Sequence, residues 1–150
     1  MKVKIGNYPT HRFYHNWLHR WFDYSPQQSI KVKIDKWDTW SMDHSLAHII
    51  LPMLKQLKET NHGYPGTLTE AKWNDIMGEM IWAFEQKCKD DWQGDYYEYK
   101  SISKEEATDD TESLFGLKLV WEDREGQQAH QLRMTNGFKL FGKYYENLWD

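Results

Sequence analysis

Two stretches with a 3.6-residue apolar period, separated by a turn that neither can cross, constrain this chain more than anything else in it. The first runs from Leu46 through Ile49, Ile50, Met53, Leu54 and Leu57; the second through Trp73, Ile76, Met77, Met80, Ile81, Phe84 and Cys88. Apolar residues three and four apart line one face of an α-helix and leave that face needing cover. Between them, Asn61 to Gly66 holds two Gly and one Pro, which breaks either helix. The spacing therefore predicts a helical hairpin over 42–91, packed as an antiparallel pair. Thr69 is placed to cap a second helix running from about Glu70 to Asp91. Pro52 falls inside the first stripe and removes a backbone donor, yet the period continues to Lys58, so one kinked helix is expected.

The remaining segments add smaller elements. After Pro9, Thr10 can cap a helix to about Tyr24, with Tyr14, Leu18, Trp21 and Phe22 on one side and Trp17 adjacent. Residues 2–5 read as a short strand, and Ser29 to Asp35 alternates Ile30, Val32 and Ile34 with Lys31 and Lys33. The run from Trp37 to His44 reads as a helix entry, with Ser41 as cap and Asp38 and Asp43 able to accept backbone N–H groups. Gly94 to Ser103 is irregular or strand, and Lys104 to Ser113 is expected to be a mobile loop. Phe115 to Glu122 alternates as a strand before an Asp123-Arg124-Glu125-Gly126 turn. Gln131, Met134, Phe138, Phe141, Tyr145 and Leu148 line a terminal helix over 127–149, in which Gly137 and Gly142 lower the propensity and admit a close neighbour. The expected fold is mainly α with a small β-sheet (α+β), a helical hairpin with the C-terminal helix packed on it, in one compact domain spanning 1–150.

Composition narrows the function classes. Nine Trp, nine Tyr and six Phe make 16% of the chain, so large rings supply much of the core volume and leave some for an interface or ligand shelf. The formal charge of -4 is uneven: residues 1–36 carry seven Lys/Arg against two acids, and 37–103 carry six against eleven. Such polarity permits internal docking, head-to-tail association or a small anionic contact, while the net charge argues against bulk wrapping of DNA. A single cysteine, Cys88, excludes an intrachain disulfide and a cysteine-rich zinc site, and its place on an apolar stripe marks it as core. No apolar run reaches membrane-spanning length, and the start Met1-Lys2-Val3-Lys4-Ile5 lacks the apolar core of a signal peptide. Phosphate-binding loops, dinucleotide fingerprints, zinc-protease motifs and nucleophile elbows are all missing from the sequence.

Three groups could still carry chemistry. His11, His15 and His19 share a helix side with Arg12, Asn16 and Arg20, giving a basic contact surface, an anion or nucleic-acid patch or, less simply, a two-nitrogen metal site. His44 and His48 lie one helical turn apart beside Asp43, and Glu79 and Glu85 sit off the stripe of the partner helix. Were those faces to converge, the four side chains could hold a divalent metal whose bound water attacks a phosphate ester. Against this, the apolar stripes must face each other, which turns the four outward. Trp37 and Trp40 either staple the helix entry or form a shelf for a base. Trp82 points away from the Met80/Phe84 side of its helix, as a contact residue would.

The segment "KIDKWDTWSMDHSLAHIILPMLKQLKETNHG" (33–63), the piece "EMIWAFEQ" (79–86) and the ending "AHQLRMTNGFKLFGKYYENLWD" (129–150), about 40% of the chain together, resemble a family of hypothetical proteins of tailed phages, marine ones included. Its members have a longer N-terminal region and a longer insert before the EMIWAFE helix, here only Tyr64 to Gly78. The resemblance implies phage origin and expression in a bacterial host, as a protein of the host cytoplasm or a virion component. It carries over no catalytic or binding residue. The expected function is a phage accessory protein that binds a host or phage protein, modulating infection or assembly, through Arg12, His15, Arg20, Trp37, Trp40 and Trp82. The alternatives are a metal-dependent hydrolase or nucleotide-binding protein using His44, His48, Glu79 and Glu85, and, ranked lower, a nucleic-acid-binding accessory. No membrane partner is expected, and self-association is compatible with the charge pattern.

Overall fold

A computed structural model of the chain describes residues 2–5, 13–22, 28–60, 63–103, 107 and 115–149. It is mainly helical with two small antiparallel sheets, as the period analysis requires. Its contacts gather into two compact units, Met1–Ser45 and Leu46–Asp150.

In the first unit, strand β1 (Lys2–Ile5) pairs antiparallel with β2 (Ile30–Lys33) in the register Lys2 with Lys33, Val3 with Val32, Lys4 with Lys31 and Ile5 with Ile30. Alternation along both strands thus stacks lysine on lysine and β-branched residue on β-branched residue. Helix α1 (Phe13–Phe22) sits between them in sequence, its predicted cap Thr10 lying outside the described residues. Its rings cluster, with Trp17 packing 6.4 Å from Trp21 and 6.3 Å from Phe22. The helix entry differs from expectation. A short 3-10 turn over Lys36–Thr39 comes first, closed by a reciprocal box: the Asp35 carboxylate accepts from the Trp37 N–H at 3.1 Å, and Asp38 accepts from the Asp35 N–H at 2.7 Å. Asp38 therefore closes this turn.

The second unit holds most of helix α2 (Met42–Thr60), helix α3 (Glu70–Lys87), strands β3 (Tyr97–Ser101) and β4 (Leu117–Glu122), and helix α4 (Arg124–Lys143). Pro52 is accommodated inside α2 on an exposed position. Thr69 Oγ1 accepts from the Lys72 N–H at 3.4 Å and starts α3 as predicted. The helix stops at Lys87 rather than Asp91, with Cys88 as its C-cap, and Asp91 further on accepts from the Gly94 N–H at 2.9 Å beside the turn over Gln93–Tyr96. Helix α4 begins three residues earlier than the apolar stripe indicated. Asp123 accepts from the Gly126 N–H at 2.9 Å, so Asp-Arg-Glu-Gly, expected as a turn after the strand, is the capped first turn of the helix.

The core is built on α3, whose Trp73, Met77 and Met80 are fully buried. Ala47 and Leu54 of α2 and Tyr144 after α4 complete it. Trp73 meets Tyr144 edge-on at 5.4 Å, and Phe84 meets Phe138 and Phe141 at 5.2 and 5.1 Å. Contacts between Lys55 and Glu85 and between Lys58 and Gly78 run in opposite chain senses, as in the expected antiparallel hairpin. The tightest approach, however, belongs to α3 and α4. A Cβ on Gly137 would stand 2.7 Å from the Glu79 carbonyl oxygen and overlap the Ala83 methyl. Glycine there lets two backbones touch, whereas Gly142 has open space around it.

Candidate functional site

Two features of the second unit exceed what folding alone requires. The first is an apolar cleft of about 760 Å³ between α2 and the chain end. Ile50, Met53 and Leu57 form one wall, Phe141, Tyr145 and Leu148 the other, with Gln56 and Thr60 among the polar groups in its lining. Its walls are drawn from the apolar stripe of α2 and from Phe141, Tyr145 and Leu148 near the C-terminal end of the described residues. Met53 and Tyr145 remain 57% and 66% exposed. Contiguous apolar surface of this kind, with polar groups beside it, is a feature of contact sites.

The second feature is an imidazole enclosed by rings. His130, near the middle of α4, stacks on Trp92 at 4.6 Å and 19°, and lies 4.9 Å from the Trp82 ring. Its Nδ1 shares a 2.8 Å hydrogen bond with the Tyr96 hydroxyl. The opposite nitrogen, Nε2, is buried with no hydrogen-bond partner among the described residues, as is Oε1 of Gln86. Burial holds the imidazole below its ordinary 6.5, Lys89 and Arg133 act the same way, and Asp95 opposes them. One helical turn along, Arg133 lies 3.9 Å from the Trp82 ring centre and grips Glu79 through two bonds of 3.0 and 2.8 Å. Those bonds lower the Glu79 carboxyl and raise the guanidinium. Beside them is a more open polar cleft of about 540 Å³, lined by Lys58, Asp75, Glu79, Trp82, Glu85 and Arg133 among others.

The residues singled out from sequence fall in several places. Arg12 lies outside the described residues, as does the side chain of His15, while Arg20 is exposed on α1. Trp37 and Trp40 are 67% and 85% exposed, so neither serves as a buried staple. Trp82 is not a free contact ring: it is half-buried between His130 and Arg133. Among the described residues no group of three or more His, Cys, Asp or Glu is arranged to hold a metal ion, and His44, His48, Glu79 and Glu85 form no such group. Glu79 is instead bound to Arg133, and Glu85 to Lys55 at 2.7 Å. Cys88 is partly buried, and burial raises its thiol, which suits an inert residue. His130, Arg133, Trp92 and Tyr96 were not foreseen; His130 and Arg133 share a helix face beside Met134, the one signal for them.

Among the described residues no helix is long and apolar enough to cross a membrane. No family model, curated protein or solved structure matches the chain.

Proposed function

We propose that the chain is a non-enzymatic interaction protein, made by a tailed phage in its bacterial host, that seats an apolar segment of a host or phage protein in the cleft between α2 and the chain end. The observation that supports this reading is the cleft itself: six large apolar side chains on two walls, with Met53 and Tyr145 largely uncovered. Leu, Met and aromatic side chains spaced along a helix face form the kind of groove that accepts an amphipathic helix from a partner. Each exposed ring or thioether that such a segment covered would contribute roughly 1.5–3 kcal/mol of burial before ordering costs.

The test is crosslinking in infected cells to identify the partner, followed by affinity measurement with purified components. Met53→Glu and Tyr145→Ala alter exposed positions and should leave the fold intact. Each is expected to weaken binding at least tenfold. Unchanged affinity in both variants would sink the reading. Chelator-sensitive hydrolysis of nucleotides by the purified protein would move the balance to an enzyme.

A further inference from the structure

The β1–β2 ribbon carries a charge arrangement that folding does not explain. Lys2 stands opposite Lys33 and Lys4 opposite Lys31, so four lysines occupy one face of a two-stranded sheet. All four are exposed, and among the described residues no carboxylate pairs with any of them. Like charges directly across an antiparallel pair are destabilising. Here the repulsion occurs twice on one small face. The other face is β-branched, with Val3, Val32 and Ile30 on it. Of the four acids in residues 1–45, Asp35 and Asp38 are turned onto backbone N–H groups of the capping box, and the stretch contains no glutamate. Against seven Lys/Arg this leaves the unit at +3, while residues 46–150 carry -7, which sum to the chain's -4.

We propose that this four-lysine face binds the phosphate backbone of single-stranded nucleic acid, with the exposed indoles of Trp37 and Trp40 stacking on its bases. The lysine side chains leave the backbone at intervals of about 7 Å along each strand and about 5 Å across the pair, and their flexible stems let the charges meet successive phosphates. Trp37 follows Lys33 by four residues, a reach of at most about 14 Å, so one short strand can span both features. Lys36 holds its ammonium 5.0 Å from the Trp37 ring centre, beside the four-lysine track and apart from it. A basic track beside open aromatic rings is the recurrent combination in proteins that hold single strands, because stacking requires unpaired bases. The ribbon contributes charge to a few phosphates only, consistent with a chain too acidic overall to wrap a duplex. This site is independent of the apolar cleft, and each can fail without the other.

The probe is a fluorescently labelled single-stranded oligonucleotide of about 12 nucleotides, matching the known site sizes of such proteins, titrated with the full chain by anisotropy. With four phosphates neutralised, the slope of log affinity against log salt is expected near about -2.8, or about 50-fold weaker binding between roughly 50 and roughly 200 mM salt. In Lys31→Gln/Lys33→Gln the slope should fall to about -1.4, and the same salt interval should cost only about sevenfold. Lys31→Arg/Lys33→Arg keeps the charge and should keep the slope; circular dichroism confirms that both variants fold. Trp40→Ala should weaken binding without changing the slope. No binding at the lower salt, a slope unmoved by the glutamine pair, or a loss shared by the arginine pair would overturn the assignment. Equal affinity for duplex DNA of the same length, or for anionic phosphatidylglycerol vesicles with the same lysine dependence, would also overturn it.

Discussion

Replacing Gly137 by alanine tests whether the α3–α4 contact organises the second unit. In an unhindered helix this substitution stabilises by about 0.8–1 kcal/mol through propensity. Here the added methyl would meet the Glu79 carbonyl oxygen at 2.7 Å and overlap Ala83. Both neighbours are fixed: one is backbone inside α3, the other a methyl on a helix whose adjacent side chains are buried. Relief requires the helices to separate by several tenths of an ångström, against the packing of Phe84 on Phe138 and the paired bonds of Arg133 to Glu79. Overpacking of a tight contact costs about 1–3 kcal/mol. Two clashes at once put this contact at the upper end of that range, so after subtracting the propensity gain the net change should be a destabilisation of about 2 kcal/mol, or roughly 4–8 °C in Tm for a domain of this size. Chemical denaturation followed by tryptophan fluorescence measures it. Gly142→Ala lies in the same helix with nothing within 4 Å of the new Cβ and should be neutral or slightly stabilising. If Gly137→Ala proved as stable as the parent, the contact would not be close-packed and the reasoning would be wrong.

Other outcomes follow from the same geometry. Trp73→Ala removes a 1% exposed ring packed on Tyr144 and should cost about 3–5 kcal/mol, enough to abolish a cooperative thermal transition. Because the folded imidazole of His130 is held below its ordinary 6.5, the unfolded chain binds its proton first, so stability from this site is complete above 6.5 and is lost as pH falls through the lower folded value. An NMR titration placing the His130 ring at or above 6.5 would contradict the enclosure described. Glu79 is lowered by Arg133, so its contribution holds above the ordinary 4.5 and disappears at more acidic pH. Since both partners are well exposed, Glu79→Gln should cost under about 1 kcal/mol at neutral pH and flatten the acid limb of the stability profile.

The helical half of the fold was legible because its signal is periodic. Leu54, Trp73, Ile76, Met77, Met80 and Phe84 were placed on inward stripes and are all buried. Boundaries were harder, since they depend on which side chain turns back to the backbone, as Asp123 does in starting α4 early. The cleft walls were also on the predicted stripes, but a stripe cannot reveal how much of itself a neighbour leaves uncovered. The cluster around His130 was hidden for a different reason. Tyr96 and His130 meet across 34 positions, and Trp82 joins them from a third segment, so no local pattern announces the contact. Glu79 and Glu85 are each held by a cation from another helix, Arg133 and Lys55, and spacing along one helix does not reveal such partners. The lysine face needed only the strand register, with two of its four members already visible in the alternation of Lys31 and Lys33.

The base of the β3–β4 ribbon is tied down twice. The Asp123 N–H donates to the Tyr96 carbonyl at 2.8 Å, and the Tyr96 hydroxyl bonds to His130 in α4. The strands therefore start and finish on a footing fixed to α4, and the ring enclosure of His130 shares that footing through Tyr96. Base and enclosure form one mechanical joint: whatever pulls on β3 or β4 is felt at the His130 imidazole, which makes that ring a built-in reporter of strain in the ribbon.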